Sequence, residues 1–276
     1  MAAVRVVTDS TAGLTPGSAA AAGITVIPIG VNLGTRSGLE GVDVGPADVL
    51  AALRERQRIT TSQPPPGAFV EAYSDPSTDV VSIHLSGDLS GTVAAAEGAA
   101  AQADCRVEVV DSRLVSAGLG FVVEAAARAA RTGAGIDEVV TVAREVAERT
   151  SVLFCVDDLD ALKAGGRIGP ASARLGTALA VKPILRVKGG EIVVEQFVRT
   201  SRRALERLVE IAAEIPDVSR ATVVHLGAAE RAAQLATSLS ERLGLVDVPV
   251  AEASAAISAH AGEGVVGFAV SSSPAL

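Results

Sequence analysis

The apolar run Val80 to Leu85 passes directly into Ser86-Gly87-Asp88-Leu89-Ser90-Gly91-Thr92, and that turn opens the alanine-rich segment Val93 to Ala103. A buried strand, a turn of hydroxyls and glycines, and then a helix form the repeating unit of an α/β layer. The turn is also an anion site in outline. N–H groups at a helix start point outward with the positive end of the macrodipole, and glycine lets a ligand approach the backbone.

The same order recurs through the first half. Val4 to Val7 predicts a short buried strand, and Thr15-Pro16 predicts a helix start, with Thr as cap and Pro in the first turn. Ile24 to Val31 predicts a second strand, followed by a loop from Asn32 to Gly45. Pro46 begins a helix through about Gln57 whose apolar face carries Val49, Leu50 and Leu53. Thr60-Thr61-Ser62-Gln63-Pro64-Pro65-Pro66 reads as an extended loop before a short helix at Ala68 to Tyr73. Val80 to Leu85 and Val107 to Val110 are then strands, each followed by a helix, the second at Leu119 to Arg131. This alternation predicts a doubly wound parallel sheet in three α/β/α layers.

Ile136 to Arg149 is an amphipathic helix with no strand before it, and it leads into Val152 to Val156 as a crossing to new texture. Lys182 to Val187 and Glu191 to Phe197 flank Lys188-Gly189-Gly190, the pattern of a β-hairpin. A helix at Ser201 to Ile215, a strand at Ala221 to Leu226, a helix at Ala229 to Leu243 and a final strand at Val265 to Val270 follow. The expected division is an N-terminal α/β domain over 1–152 and a C-terminal α+β domain with a mixed sheet over 153–276.

Composition narrows the ligand. Hydrophobic residues make up 49% of the chain but aromatics only 2%, so a pocket is expected to have aliphatic walls. Few aromatics and a net charge of −8 argue against nucleic acid, which needs stacking platforms and cations. Cys105 and Cys155 lie fifty positions apart with no CxxC and no clustered histidines, so they are expected as two buried free thiols and not as a metal or disulfide framework. The N-terminus does not read as a signal peptide, and no stretch approaches the roughly 18 apolar residues of a membrane span. A cytoplasmic protein with no stable membrane insertion and no metal is expected.

Thr8-Asp9-Ser10, Val110-Asp111-Ser112 and Leu85-Ser86-Gly87-Asp88 each place Asp with Ser or Thr directly after a strand. Two readings stand: these residues cap the following turns, or they gather at the carboxyl edge of the sheet, where ligands of open α/β folds bind.

Thr8-Asp9-Ser10-Thr11, Thr61-Ser62-Gln63-Pro64, Leu89-Ser90-Gly91-Thr92, Val110-Asp111-Ser112, Leu162-Lys163-Ala164-Gly165-Gly166-Arg167-Ile168, Lys182-Pro183-Ile184, and His260 with Gly262 and Gly264 occur in the order found in one family. The chain resembles the DegV-like fatty-acid-binding proteins over essentially its whole length. The resemblance implies the two-domain EDD fold with a lipid tunnel between the domains, one bound long-chain fatty acid as ligand, and no cofactor. It also implies a carrier without catalysis of its own, which presents the acid to a separate fatty acid kinase subunit for acyl-phosphate formation. By the same resemblance Ser90, Thr61 and His260 bind the carboxylate, with Ser62 and Gly91 of the same motifs also expected as carboxylate-binding residues, and Arg167 serves docking with the kinase.

Apart from the resemblance, the residue types leave two other readings: a phosphate or small-anion binder at Ser86 to Thr92, and a Ser/His hydrolase using Ser90 and His260. Neither G-x-x-x-x-G-K-[ST] nor G-x-S-x-G is present to strengthen them. Three positions depart from the family pattern. Gly87 stands where a second serine is expected, Gly13 where Asp is usual, and Glu263 between Gly262 and Gly264, where a carboxylate facing inward would oppose a bound anion.

Overall fold

The computed structural model describes residues 3–168 and 181–273. β1 (Ala3–Asp9) lies between β2 (Ile24–Ile27) and β6 (Thr78–His84), and β7 (Val107–Asp111) completes a four-stranded, wholly parallel sheet in the order β2-β1-β6-β7. α3 (Pro66–Ala72) and α4 (Thr92–Ala100) cover one face, with Phe69, Tyr73 and Ala96 packed on Val7 and Val80. α5 (Ala117–Arg131) and α6 (Ile136–Glu148) cover the other. The doubly wound α/β/α arrangement expected from the alternation is present. Thr15 accepts from Ser18 N and Pro16 opens α1 (Pro16–Ala22), as the capping pattern requires.

A six-stranded mixed sheet follows, in the order β10-β9-β8-β13-β11-β12, from β8 (Thr150–Cys155), β9 (Lys182–Lys188), β10 (Glu191–Val198), β11 (Val218–His225), β12 (Val250–Glu252) and β13 (Val266–Ser272). Only β11 and β12 run parallel. Period-two alternation gives β8 and β13 two apolar faces. Leu153 and Phe268 turn to α8 (Ser201–Ala213) and α9 (Ala229–Leu243), while Val152 and Ala269 turn to α5. α5 is therefore shared between the two large sheets. Its close seating depends on Gly120, where a Cβ would stand 2.7 Å from Ala12 O.

A third sheet departs from the expectation of loops at Asn32 to Gly45 and Thr60 to Pro66. β3 (Gly30–Leu33), β4 (Arg36–Leu39) and β5 (Ile59–Ser62) form a small antiparallel sheet in the order β4-β3-β5, ahead of and behind α2 (Pro46–Arg54). The strand expected over Ile24 to Val31 is two strands, because Pro28 offers no N–H to a ladder and separates β2 from β3. Two helices not expected from the sequence, α7 (Asp160–Ala164) and α10 (Ala255–Ala261), complete the described residues. Glu40, just past β4, is buried and accepts hydrogen bonds from Ser10 Oγ and, at 2.8 Å, from Ala256 N in the first turn of α10. Burial raises its carboxyl above the ordinary range. Cys155 is buried with its thiol pushed up to about 11, whereas Cys105 is only half-buried, its Sγ reaching Tyr73 O on the rim of the α3–α4 layer.

The carboxyl edge of the parallel sheet holds a sealed polar chain. Asp9 accepts from Thr11 N and Oγ1 on one oxygen, and on the other it meets Leu85 N and His84 Nδ1, both at 3.0 Å. Tyr73 donates to Ser82 Oγ at 2.7 Å, which leaves the Ser82 proton for His84 Nε2, also at 2.7 Å. Asp9, His84 and Ser82 are fully buried. Ser112 donates to His84 O and Ser86 to Gly190 O. At Asp9, Ser86 and Ser112 the capping reading therefore holds, because their polar atoms are used within the fold.

Candidate functional site

Between the parallel sheet, α5, the inner face of the six-stranded sheet and α10 lies a cavity of about 930 Å³ of empty space counting its mouth, little of it wide enough for a free water. Its walls are mostly aliphatic, with Phe154 and Phe268 as the aromatic exceptions. Polar groups converge on it from four separate segments. Thr61 and Ser62 come from the end of β5, Ser90 from the turn before α4, His260 from the last turn of α10, and Arg167 from the loop after α7.

Contacts between these segments show that they meet. Thr61 Oγ1 lies 2.8 Å from His260 Nε2, and Arg167 Nε donates to Leu89 O, next to Ser90, at 3.2 Å. Gly91, the N-cap of α4, faces Gln63 and does not line the cavity itself. Ser90 Oγ pairs with Thr92 Oγ1 at 2.8 Å and accepts from Thr92 N at 3.3 Å. Only Leu89 and Ser90 of the Ser86 to Thr92 turn reach the cavity, since Ser86 is buried against Gly190.

His260 is the most perturbed group here. Burial, with a smaller contribution from the Arg167 charge, lowers it to about 4, so the ring is neutral near pH 7. Its Nδ1 is buried without a partner among the described residues, pressed against Gly165, where a Cβ would collide with it. An unpartnered N–H is costlier than an unpartnered lone pair, which favours the tautomer with the proton on Nε2. Nε2 then donates to Thr61 Oγ1, and the Thr61 hydroxyl proton is free for an acceptor in the cavity. This geometry is unlike a hydrolase: the imidazole pairs with Thr61, and no carboxylate orients Nδ1 among the described residues. No group of three or more His, Cys, Asp or Glu is placed to hold a metal among the described residues, and no described helix is long and apolar enough to cross a membrane.

Of the three departures, Glu263 turns outward. It pairs with Arg54 at 2.7 Å and does not line the cavity. Gly87 N donates to Asp111 Oδ1, so this position contributes backbone and not a hydroxyl. Gly13 holds a φ of 70° and closes the turn after Ser10–Ala12, a conformation that favours glycine over Asp. Two polar lining residues were not expected as site residues. Thr11 was visible only as part of the Thr8 to Thr11 motif. Ser116, the N-cap of α5 at φ 55° and ψ −140°, carried no signal beyond a lone serine before a helix.

Comparison with known proteins agrees across the chain. The family model described as "Uncharacterised protein, DegV family" matches residues 3–273. A DegV domain-containing protein of Streptomyces coelicolor is 44% identical, covering 98% of each chain. Among solved structures, a fatty-acid-binding DegV family protein from Thermus thermophilus superposes with a TM-score of 0.92 at 33% identity, over 99% of this chain and 100% of that one. DegV, a fatty acid binding protein from Bacillus subtilis, does so at 0.90 and 30%, with the same coverage. Matched in sequence and in fold over nearly its full length, the chain belongs to the DegV family.

Proposed function

We propose that this protein is a cytoplasmic carrier that binds one long-chain fatty acid in the cavity, its carboxylate held by Ser90, Thr61 and His260 with Ser62 and the Gly91 turn beside them. The observation that carries this reading is the cavity's polarity: the hydroxyls of Thr61, Ser62 and Ser90, the neutral His260 imidazole and the Arg167 guanidinium gather from four segments, and apart from Thr11 and Ser116 the remaining wall is apolar. The fatty acid binding of the Thermus and Bacillus relatives supports it. Magnitudes divide the labour. Burying methylenes gains ~0.8 kcal/mol each, so a tail of about fifteen offers on the order of 12 kcal/mol before ordering costs, against ~1.5–3 for each hydrogen bond to the carboxylate. The tail supplies affinity and the polar group orientation.

In this reading the chain divides into domains at 1–152 and 153–276 with the cavity at their junction, and a separate kinase subunit, docking near Arg167, phosphorylates the presented carboxylate. Native mass spectrometry of protein purified from a bacterial cytosol is expected to show one co-purified acyl chain per protein. Recovery of unliganded protein that ignores added oleate refutes the reading. The kinase step is checked by ATP consumption when the oleate-loaded protein meets a kinase subunit from the same cell.

A further inference from the structure

Glu40 is buried beside the cavity without lining it. Its two oxygens are taken by donors from different segments, Ser10 Oγ on one and Ala256 N, at 2.8 Å, on the other, and neither donor is a cation. Its own N–H donates to Ile29 O at 2.8 Å, while Ile29 N donates to Ser10 Oγ at 3.0 Å. Ile29 and Ala256 both line the cavity. Burying a charge without a counter-ion is costly, and packing alone would be served by an apolar side chain.

The small sheet grips α10 at both ends. At the first turn Glu40, just past β4, holds Ala256 N, and at the last turn Thr61 of β5 meets His260 Nε2 at 2.8 Å. β3 joins the two grips, because Val31 pairs with Gly38 of β4 on one side and with Thr61 on the other. Sheet and helix thus close a ring with two links, Glu40–Ala256 and Thr61–His260. α10 has only seven residues and runs into Gly262 and Gly264, at φ 81° and 85°, so little in its own backbone fixes its axis.

We propose that Glu40 is a positioning residue: its carboxylate sets the place of α10 against the small sheet, and through α10 the His260–Thr61 pair that receives the ligand's carboxylate. This rests on the fatty-acid reading above and deepens it. A slip of α10 by about 1 Å takes the 2.8 Å contact beyond hydrogen-bonding range. His260 then no longer donates to Thr61, and the Thr61 hydroxyl proton is no longer directed into the cavity.

The test compares Glu40→Gln with Glu40→Met in the delipidated full chain. Both substitutions keep the side chain's length, but only glutamine keeps an oxygen for Ala256 N, with its amide nitrogen turned to Ser10 Oγ. Oleate affinity is read by calorimetry and the His260 ring titration by NMR, at a temperature where the circular dichroism of the variants matches wild type. Glu40→Met is expected to weaken oleate about tenfold, the scale of one charged hydrogen bond. It should also bring His260 up from about 4 toward its ordinary value, as water reaches the loosened ring. Glu40→Gln is expected to stay within about threefold of wild type for oleate and to leave the ring low. A Glu40→Met protein that melts earlier but binds oleate and titrates as wild type overturns the proposal, because Glu40 then serves stability alone. So does a tenfold loss of oleate affinity in Glu40→Gln, which decides the matter by itself if Glu40→Met does not fold. A wild type that ignores oleate refutes the fatty-acid reading instead, and the His260 titrations still test the positioning.

Discussion

The Asp9–His84–Ser82–Tyr73 chain and the Thr61–His260–Ser90 group are built from similar parts, an imidazole and hydroxyls, and both lie near the ends of strands. The first is sealed. Each ring nitrogen of His84 has a partner, both Asp9 oxygens are saturated, and Asp9, His84 and Ser82 are fully buried. The second is unfinished: once His260 Nε2 donates to Thr61, the Thr61 hydroxyl proton is left for an acceptor in the cavity, and Thr61 and Ser90 line an opening. Buried polar networks stabilise when every member is satisfied, and an incomplete one is tolerated where something outside the chain completes it. Completeness of hydrogen bonding, more than residue type, separates these two clusters, although the buried Thr8 Oγ1 beside Asp9 is also unpartnered among the described residues.

The largest effect is expected in the sealed chain. Asp9→Ala leaves His84, Leu85 N and Thr11 without their shared acceptor and should cost about 3–5 kcal/mol in urea denaturation. A loss below about 1 kcal/mol would erase the distinction between the two clusters. Next is acid sensitivity at the unfinished cluster. His260 sits near 4 when folded, against about 6.5 in an unfolded chain, so the unfolded state takes up this proton first. Above pH 6.5 the group adds no pH dependence. As pH falls from there to about 4, stability should drop by up to about 3 kcal/mol and then level off. His260→Gln should flatten that segment of the stability profile relative to wild type, and a profile unchanged by the substitution would show that the ring is not buried neutral.

Ser90→Ala should act mainly on binding: about tenfold weaker oleate affinity, or ~1.4 kcal/mol, with a smaller loss of stability from the bond to Thr92 N. An equal or larger fall in stability would move Ser90 to the scaffold side of the comparison. The smallest effect belongs to Glu263→Gln. Its carboxylate faces Arg54 at the surface, so oleate titration and thermal melting should both match wild type.

The layers of the fold were legible because the strands of the parallel sheet are buried on both faces and read as apolar runs with helices between them. The small sheet was not. Arg36-Ser37-Gly38-Leu39 and Ile59-Thr60-Thr61-Ser62 lack apolar alternation, and the end of β4 is pinned by the bond from Ala256 N to Glu40, a contact that no local pattern records. Nor was α10, whose Ala-rich turn carries little amphipathic contrast. In the site, motif order pointed to Thr61, Ser90 and His260, and the structure brings them to one cavity. It could not show that Thr61 and not Ser90 holds the imidazole, since a partner 199 residues away is fixed by topology alone. The Ser86 to Thr92 turn looked uniformly ligand-facing for the same reason, because the carbonyl that occupies Ser86 belongs to a hairpin beyond the crossing.

The cavity walls are also the main hydrophobic core. Val152, Leu162, Ile192, Ala256, Val265 and Ala269 belong to the one cluster that runs from the parallel sheet through α5 to the mixed sheet, and all six line the cavity. An occupant there is packed as another side chain would be, so emptying the cavity is equivalent to excavating the protein's own interior. Occupancy then becomes folding free energy, worth ~2.7 kcal/mol at a hundredfold excess over Kd. If the occupant is the fatty acid proposed above, melting temperature reports lipid content, and a cell in which free fatty acid runs short would hold this chain in its least durable form.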